Sequence, residues 1–222
     1  MYSLLLVCVI IVLALCFDYV NGFHDTANAI ATSVSTKALS PRAAIIVAAS
    51  LNCLGALSGT AVAATIGKGI IGVNPVSPYV LIAALFAAVF WNLFTWYFGI
   101  PSSSTHALIG GLVGAIIVAY GTGMVKWDGF ISIFAGLIAT PLVGLVAGSL
   151  IMTLLFWLFK NASPARTNSR FRKLQILSAC MASFAHGSND AQKTMGIITL
   201  ALFSGGFIDT FTVHLWVKLI CA

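Results

Sequence analysis

Two short motifs set carboxylates where water is scarce. Gly22-Phe-His-Asp-Thr-Ala-Asn28 and Gly187-Ser-Asn-Asp-Ala-Gln-Lys193 each place an aspartate, Asp25 or Asp190, three residues after a glycine and inside an apolar stretch. An aspartate at the centre of a membrane helix costs about 2.5–3.5 kcal/mol on insertion scales. It persists where it pairs, faces water or serves a cation. Glycine allows the backbone to unwind, and freed carbonyls with a carboxylate make an oxygen cage suited to Na⁺. A carboxylate alone could carry H⁺. Asp25 and Asp190 are therefore the candidate coupling-ion residues, and the metal ligands if the ion is Na⁺. The structural alternative is an aspartate that caps the second half of a broken helix. His24 and His186 adjoin the motifs as proton carriers or as hydrogen-bonded structural histidines. Asp18, nearer the end of its run, reads as interfacial or structural.

A third feature suits an anion. Pro101-Ser-Ser-Ser-Thr-His106 puts four hydroxyls, Ser102, Ser103, Ser104 and Thr105, at an expected helix start. A helix N-terminus carries roughly half a positive charge and free N–H groups, which favour phosphate or sulfate oxygens. One hydroxyl suffices for a cap; four suggest a cradle. Lys193, three residues past Asp190, either neutralises that carboxylate or helps hold the anion. His106 donates to the anion or packs against a neighbouring helix.

The elements that must position these groups are membrane helices. The chain has 222 residues, 60% hydrophobic and 7% charged, with no glutamate. A soluble domain carries about 25% charged residues. This composition excludes an ordinary cytosolic enzyme, a disordered chain and a disulfide scaffold. Apolar runs at 43–66, 79–98, 106–120 and 130–159 read as spans, and 2–36 as a helix broken around Asp18–Asp25. Residues 2–17 read as a span and not as a cleaved leader. Gly110-x-x-x-Gly114 and Gly144-x-x-x-Gly148 suggest close helix packing. The five cysteines read as buried apolar residues.

The net charge of +6 does not indicate nucleic acid, because five of the eleven cations crowd into 160–173. Counting Lys and Arg over the loops gives seven on one side and two on the other. The N-terminus is therefore expected outside and loop 160–173 in the cytoplasm of a multi-pass cell-membrane protein. The two aspartate motifs lie 165 residues apart and are separated by an odd number of crossings. They are thus expected to run in opposite senses, as in an inverted repeat with broken helices. The expected fold is an all-α polytopic membrane protein with an inverted repeat. Its first repeat is 1–159, and the second, incomplete, starts at 174–222 after the basic loop.

Asn21-Gly-Phe-His-Asp-Thr-Ala-Asn-Ala29, Pro101-Ser-Ser-Ser-Thr-His106 and His186-Gly-Ser-Asn-Asp190 together resemble the inorganic phosphate transporter (PiT) family, bacterial type. The resemblance implies a symporter, not an enzyme, that moves inorganic phosphate with H⁺ or Na⁺. It points to Asp25, Asn28, Asn189 and Asp190 for cation and substrate, with His24 beside them, and to Ser103, Ser104 and Thr105 for phosphate. No cofactor beyond the coupling ion is expected; the partners are phosphate, the lipid bilayer and, in a homodimer, a second copy. A second Pro-x-Ser-Ser-Thr-His motif would fall near position 270, so the chain reads as C-terminally truncated. The alternatives are a transporter of another oxyanion such as sulfate, or a non-transporting membrane protein. An intramembrane hydrolase finds no Gly-x-Ser-x-Gly, and His-Glu-x-x-His is impossible without glutamate.

Overall fold

The computed structural model describes residues 2–72 and 75–222, apart from the side chain of Lys68. The side chain of Lys68, one of the two cations counted on the outer side, therefore lies outside the described residues. The described chain is helical apart from one isolated antiparallel bridge between Ile71 and Val125. In order the helices are α1 (Leu4–Asp25), α2 (Ala27–Ser35), α3 (Pro41–Leu57), α4 (Ala61–Gly69), α5 (Pro78–Tyr97), α6 (Ser104–Tyr120), α7 (Trp127–Phe159), α8 (Pro164–Ser204) and α9 (Leu215–Cys221). Three of them start on Ser-Pro: Ser40-Pro41, Ser77-Pro78 and Ser163-Pro164. Proline at the first helical position loses no hydrogen bond, and the Ser40 hydroxyl accepts from Ala43 N as a cap.

Three passages are long and apolar enough to cross a membrane: Leu4–Ser35, Pro78–Tyr97 and Trp127–Phe159. A fourth is the pair α3–α4, bent by 65°. Large apolar side chains face outward along these helices, such as Phe86, Phe90 and Leu145. Only lipid makes that arrangement favourable. The core forms where α1, α5, α6 and the end of α8 meet. Ile10 and Phe17 pack there with Leu81, Leu85, Leu108, Leu112 and Ile198. Residues 191–202 of α8 are buried on every face, so this helix is the axis of the molecule.

Contacts at the two ends fix the direction of the helices. At one end Tyr2 donates to Val76 O, Val76 N donates to Ser204 Oγ at 3.3 Å, and Ser77 N donates to Tyr120 Oη at 2.7 Å. At the other end Ser33 Oγ and Thr36 Oγ1 donate to Gln175, and Arg172 donates to Thr36 O at 3.2 Å. The passage α1–α2 therefore runs antiparallel to α8, as the parity of crossings between the two motifs requires. Thr36 and the basic stretch lie at the same end.

Beyond the cysteines, of which only Cys221 is buried while Cys8 and Cys16 are exposed, the structure corrects three expectations. The first passage does not unwind at Asp18–Asp25. Only Thr26 interrupts it, its backbone is helical (φ −61°, ψ −32°), and its N–H bonds Gly22 O at 3.0 Å. Likewise α8 runs unbroken through His186–Asp190. Gly187 there serves close approach: a Cβ at this position would stand 2.0 Å from Asn52 O. The break falls instead at Ser58-Gly59-Thr60, inside the run read as one span over 43–66. Second, the basic loop 160–173 is mostly the start of α8, because Ser163-Pro164 opens a helix there. Third, neither Gly110 nor Gly114 meets a neighbour; Gly111 does, with a would-be Cβ 2.7 Å from Ala84 O.

Candidate functional site

Three segments far apart in sequence meet where α8 enters the core. Asn21 and Asp25 come from α1, Ser104 and Thr105 from the first turn of α6, and Asp190 and Lys193 from α8. Asn21 is the hinge of the network: its Nδ2 donates to Asp190 Oδ2 at 3.1 Å, and its Oδ1 accepts from the Ser104 hydroxyl. Ser104 Oγ also lies 3.0 Å from Asp25 Oδ2. One hydroxyl proton serves one of these acceptors at a time. Lys193 Nζ reaches Asp190 Oδ1 at 2.9 Å, Thr105 Oγ1 at 2.8 Å and Ser104 Oγ at 3.4 Å. The hydroxyls and both carboxylates therefore form one connected set.

The histidines complete the outer ring. His24 Nδ1 is 3.1 Å from Asp25 Oδ1, and His186 Nε2 is 3.1 Å from Asp190 Oδ2. His186 Nδ1 lies 2.7 Å from Asn52 Oδ1 on α3. A cavity of about 560 Å³ opens beside Asp190 and is lined by Asp18, Asn21, Thr26, Asn52, His186 and Asp190. A larger apolar groove of about 840 Å³ beside α5 and α6 holds His106 but none of the carboxylates.

The hydroxyl run divides its labour. Ser103 is the cap of α6, accepting from His106 N at 3.4 Å. Ser104 and Thr105 turn into the network, and Ser102 sits half-buried in the preceding loop. Neither aspartate caps a half-helix: α8 runs on through Asp190, and α2 is preceded by Thr26 with no side-chain cap bond. Asn28 and Asn189, expected beside the carboxylates, are exposed. Asn189 Nδ2 spends itself on Ala185 O of its own helix, at 2.8 Å. A carbonyl cage for Na⁺ is likewise not formed by unwinding at either motif. Among the described residues no group of three or more His, Cys or acidic side chains is gathered for a metal ion.

Several participants were not assigned by type and spacing. Asn21 and Asn52 are uncharged, and nothing in the sequence distinguishes them from a helix-surface asparagine. Asp18 stands in the cavity wall within electrostatic reach of Lys193, Asp190 and His186. Its signal was the seven-residue interval to Asp25, two helical turns, which puts both on one face of an unbroken helix. Gln192 closes the gap at the α3–α4 break. Its Oε1 accepts from Val62 N at 2.9 Å, capping α4, while its Nε2 donates to Ser188 O at 2.5 Å.

Residues 21–222 match the phosphate transporter family. The chain belongs to this family. It is 49% identical to a probable low-affinity inorganic phosphate transporter of Bacillus subtilis, over 99% of this chain and 67% of the relative. It is 47% identical to one from Mycobacterium bovis, over 99% of this chain and 54% of that one. The chain thus spans between about half and two thirds of these curated relatives. The fold is that of a solved structure titled the sodium-dependent phosphate transporter, with a TM-score of 0.84 at 24% identity, over 98% of this chain and 73% of that one. Members of the phosphate transporter family are membrane transporters, not enzymes.

Proposed function

We propose that this chain carries the substrate and ion site of a symporter that moves inorganic phosphate across the cell membrane with H⁺ or Na⁺. The observation that carries the reading is the meeting of Ser104 and Thr105, at the α6 N-terminus, with a buried lysine and two carboxylates. An anion arriving there finds free helix N–H groups and a hydroxyl whose oxygen is already occupied. Thr105 Oγ1 accepts from Lys193, which leaves its hydrogen to donate. Lys193 adds positive charge beneath the hydroxyls.

Coupling follows from Ser104. While Asp25 is negative and unaccompanied, it repels the anion and competes for the Ser104 proton. A cation or proton taken by Asp25 removes the repulsion and frees that hydroxyl for substrate. Ion and phosphate then bind better together than apart. The inverted repeat, with its N-terminus outside and the basic stretch in the cytoplasm, is the architecture that would expose such a site alternately to the two sides.

The test is phosphate flux in proteoliposomes under an imposed Na⁺ or pH gradient. Uptake driven by one gradient, insensitive to excess sulfate and abolished in Asp25→Asn, is the expected result. Flux that sulfate suppresses assigns another oxyanion, and no flux under either gradient rejects the transport reading.

A further inference from the structure

Asp190 is held on both carboxylate oxygens by the protein. Lys193 Nζ takes Oδ1 at 2.9 Å, while Asn21 Nδ2 and His186 Nε2 both approach Oδ2 at 3.1 Å. Lys193 is as fully engaged. Its three N–H donors face three oxygens, those of Asp190, Thr105 and Ser104, at 2.8–3.4 Å. It is only 3% exposed and sits where α8 is buried on every face. A carboxylate and hydroxyl oxygens converging on one buried point make a small-cation site, and here the cation is covalently attached. A second positive charge at Asp190 would stand next to the ammonium in a poorly screening interior.

Asp25 differs in having no cationic lysine beside it. Its partners are the neutral Ser104 hydroxyl at 3.0 Å and His24 at 3.1 Å, and its side chain is 24% exposed against 18% for Asp190. We propose that Lys193 is a built-in cation, standing where a mobile sodium ion would otherwise sit on Asp190, so that Asp25 alone of the pair is open to the coupling ion. The meaning of "coupling ion" rests on the transport reading; the occupancy of Asp190 does not.

The experiment is thermal unfolding of the chain in lipid nanodiscs, in sodium chloride or choline chloride of equal ionic strength. Lys193→Ala is expected to show a sodium-specific rise in Tm about 2–4 °C larger than that of the unmodified chain. The double variant Asp190→Asn/Lys193→Ala should lose that gain. A folded Lys193→Ala with the unmodified chain's sodium response overturns the proposal. If Lys193→Ala is recovered folded only when sodium is present, the proposal stands. If it folds in neither salt, Asp190→Asn decides: a sodium response equal to the unmodified chain's supports the proposal, and loss of a response the unmodified chain possesses overturns it. Phosphate-dependent stabilisation and uptake are read on the same variants. Their absence would sink the transport reading while the sodium arms still report on Lys193.

Discussion

The two aspartate motifs align residue for residue, yet the protein uses them differently. Around Asp190 everything is committed: a lysine, a histidine and an asparagine hold the carboxylate, and Gly187 presses its helix against Asn52. Around Asp25 the contacts are fewer and neutral or histidine-borne, and the aligned Gly22 meets nothing within 4 Å. The Asp190 copy is the more heavily tied of the two. The difference turns on the position where Lys193 faces Asn28. A lysine there must fold inward to a carboxylate, whereas Asn28 stays exposed.

This contrast can be attacked through stability. Removing the charge of Asp190 strands a buried ammonium, so Asp190→Asn should lose about 3–5 kcal/mol, against about 1 kcal/mol for Asp25→Asn, which forfeits ordinary hydrogen bonds. Denaturation curves in one detergent read both, and equal losses would erase the proposed asymmetry. The aligned glycines offer the next largest effect. Gly187→Ala drives a methyl into the α3 backbone and should cost about 1–3 kcal/mol. Gly22→Ala, in open space within a helix, should gain up to about 1 kcal/mol. A destabilised Gly22→Ala would show that α1 must yield at that point. Smaller still is the loss of Gln192. Gln192→Ala removes the cap of α4 and should cost about 1 kcal/mol, read as faster amide exchange at Val62 and its neighbours.

The sequence made the charged groups legible for a physical reason. A carboxylate or ammonium in an apolar run is costly enough to need an explanation, so Asp25, Asp190 and Lys193 stood out. Ser104 and Thr105 stood out as surplus hydroxyls at a helix start. The placing of the break was not legible, because glycine looks the same whether it loosens a backbone or admits a neighbour. Gly187 does the second, and its partner Asn52 is 135 residues away. The real break, Ser58-Gly59-Thr60, carried a local signal, a polar turn-forming triplet inside an apolar run. The asparagines remained invisible because their worth lies in what the fold brings to them: Asn21 matters only when α6 and α8 arrive on either side.

The helix α7 has a consequence of a different kind. It has 33 residues, about 50 Å of rise, against a hydrocarbon layer of about 30 Å. From Ile138 to Leu154 every residue is exposed, so among the described residues no neighbouring helix covers this stretch. Its foot is fixed, with Gly129 set against the backbone of Gly69 at the end of α4. Where lipid covers that stretch, a thicker or thinner bilayer becomes a lever on this mast, with two glycines in contact as its fulcrum.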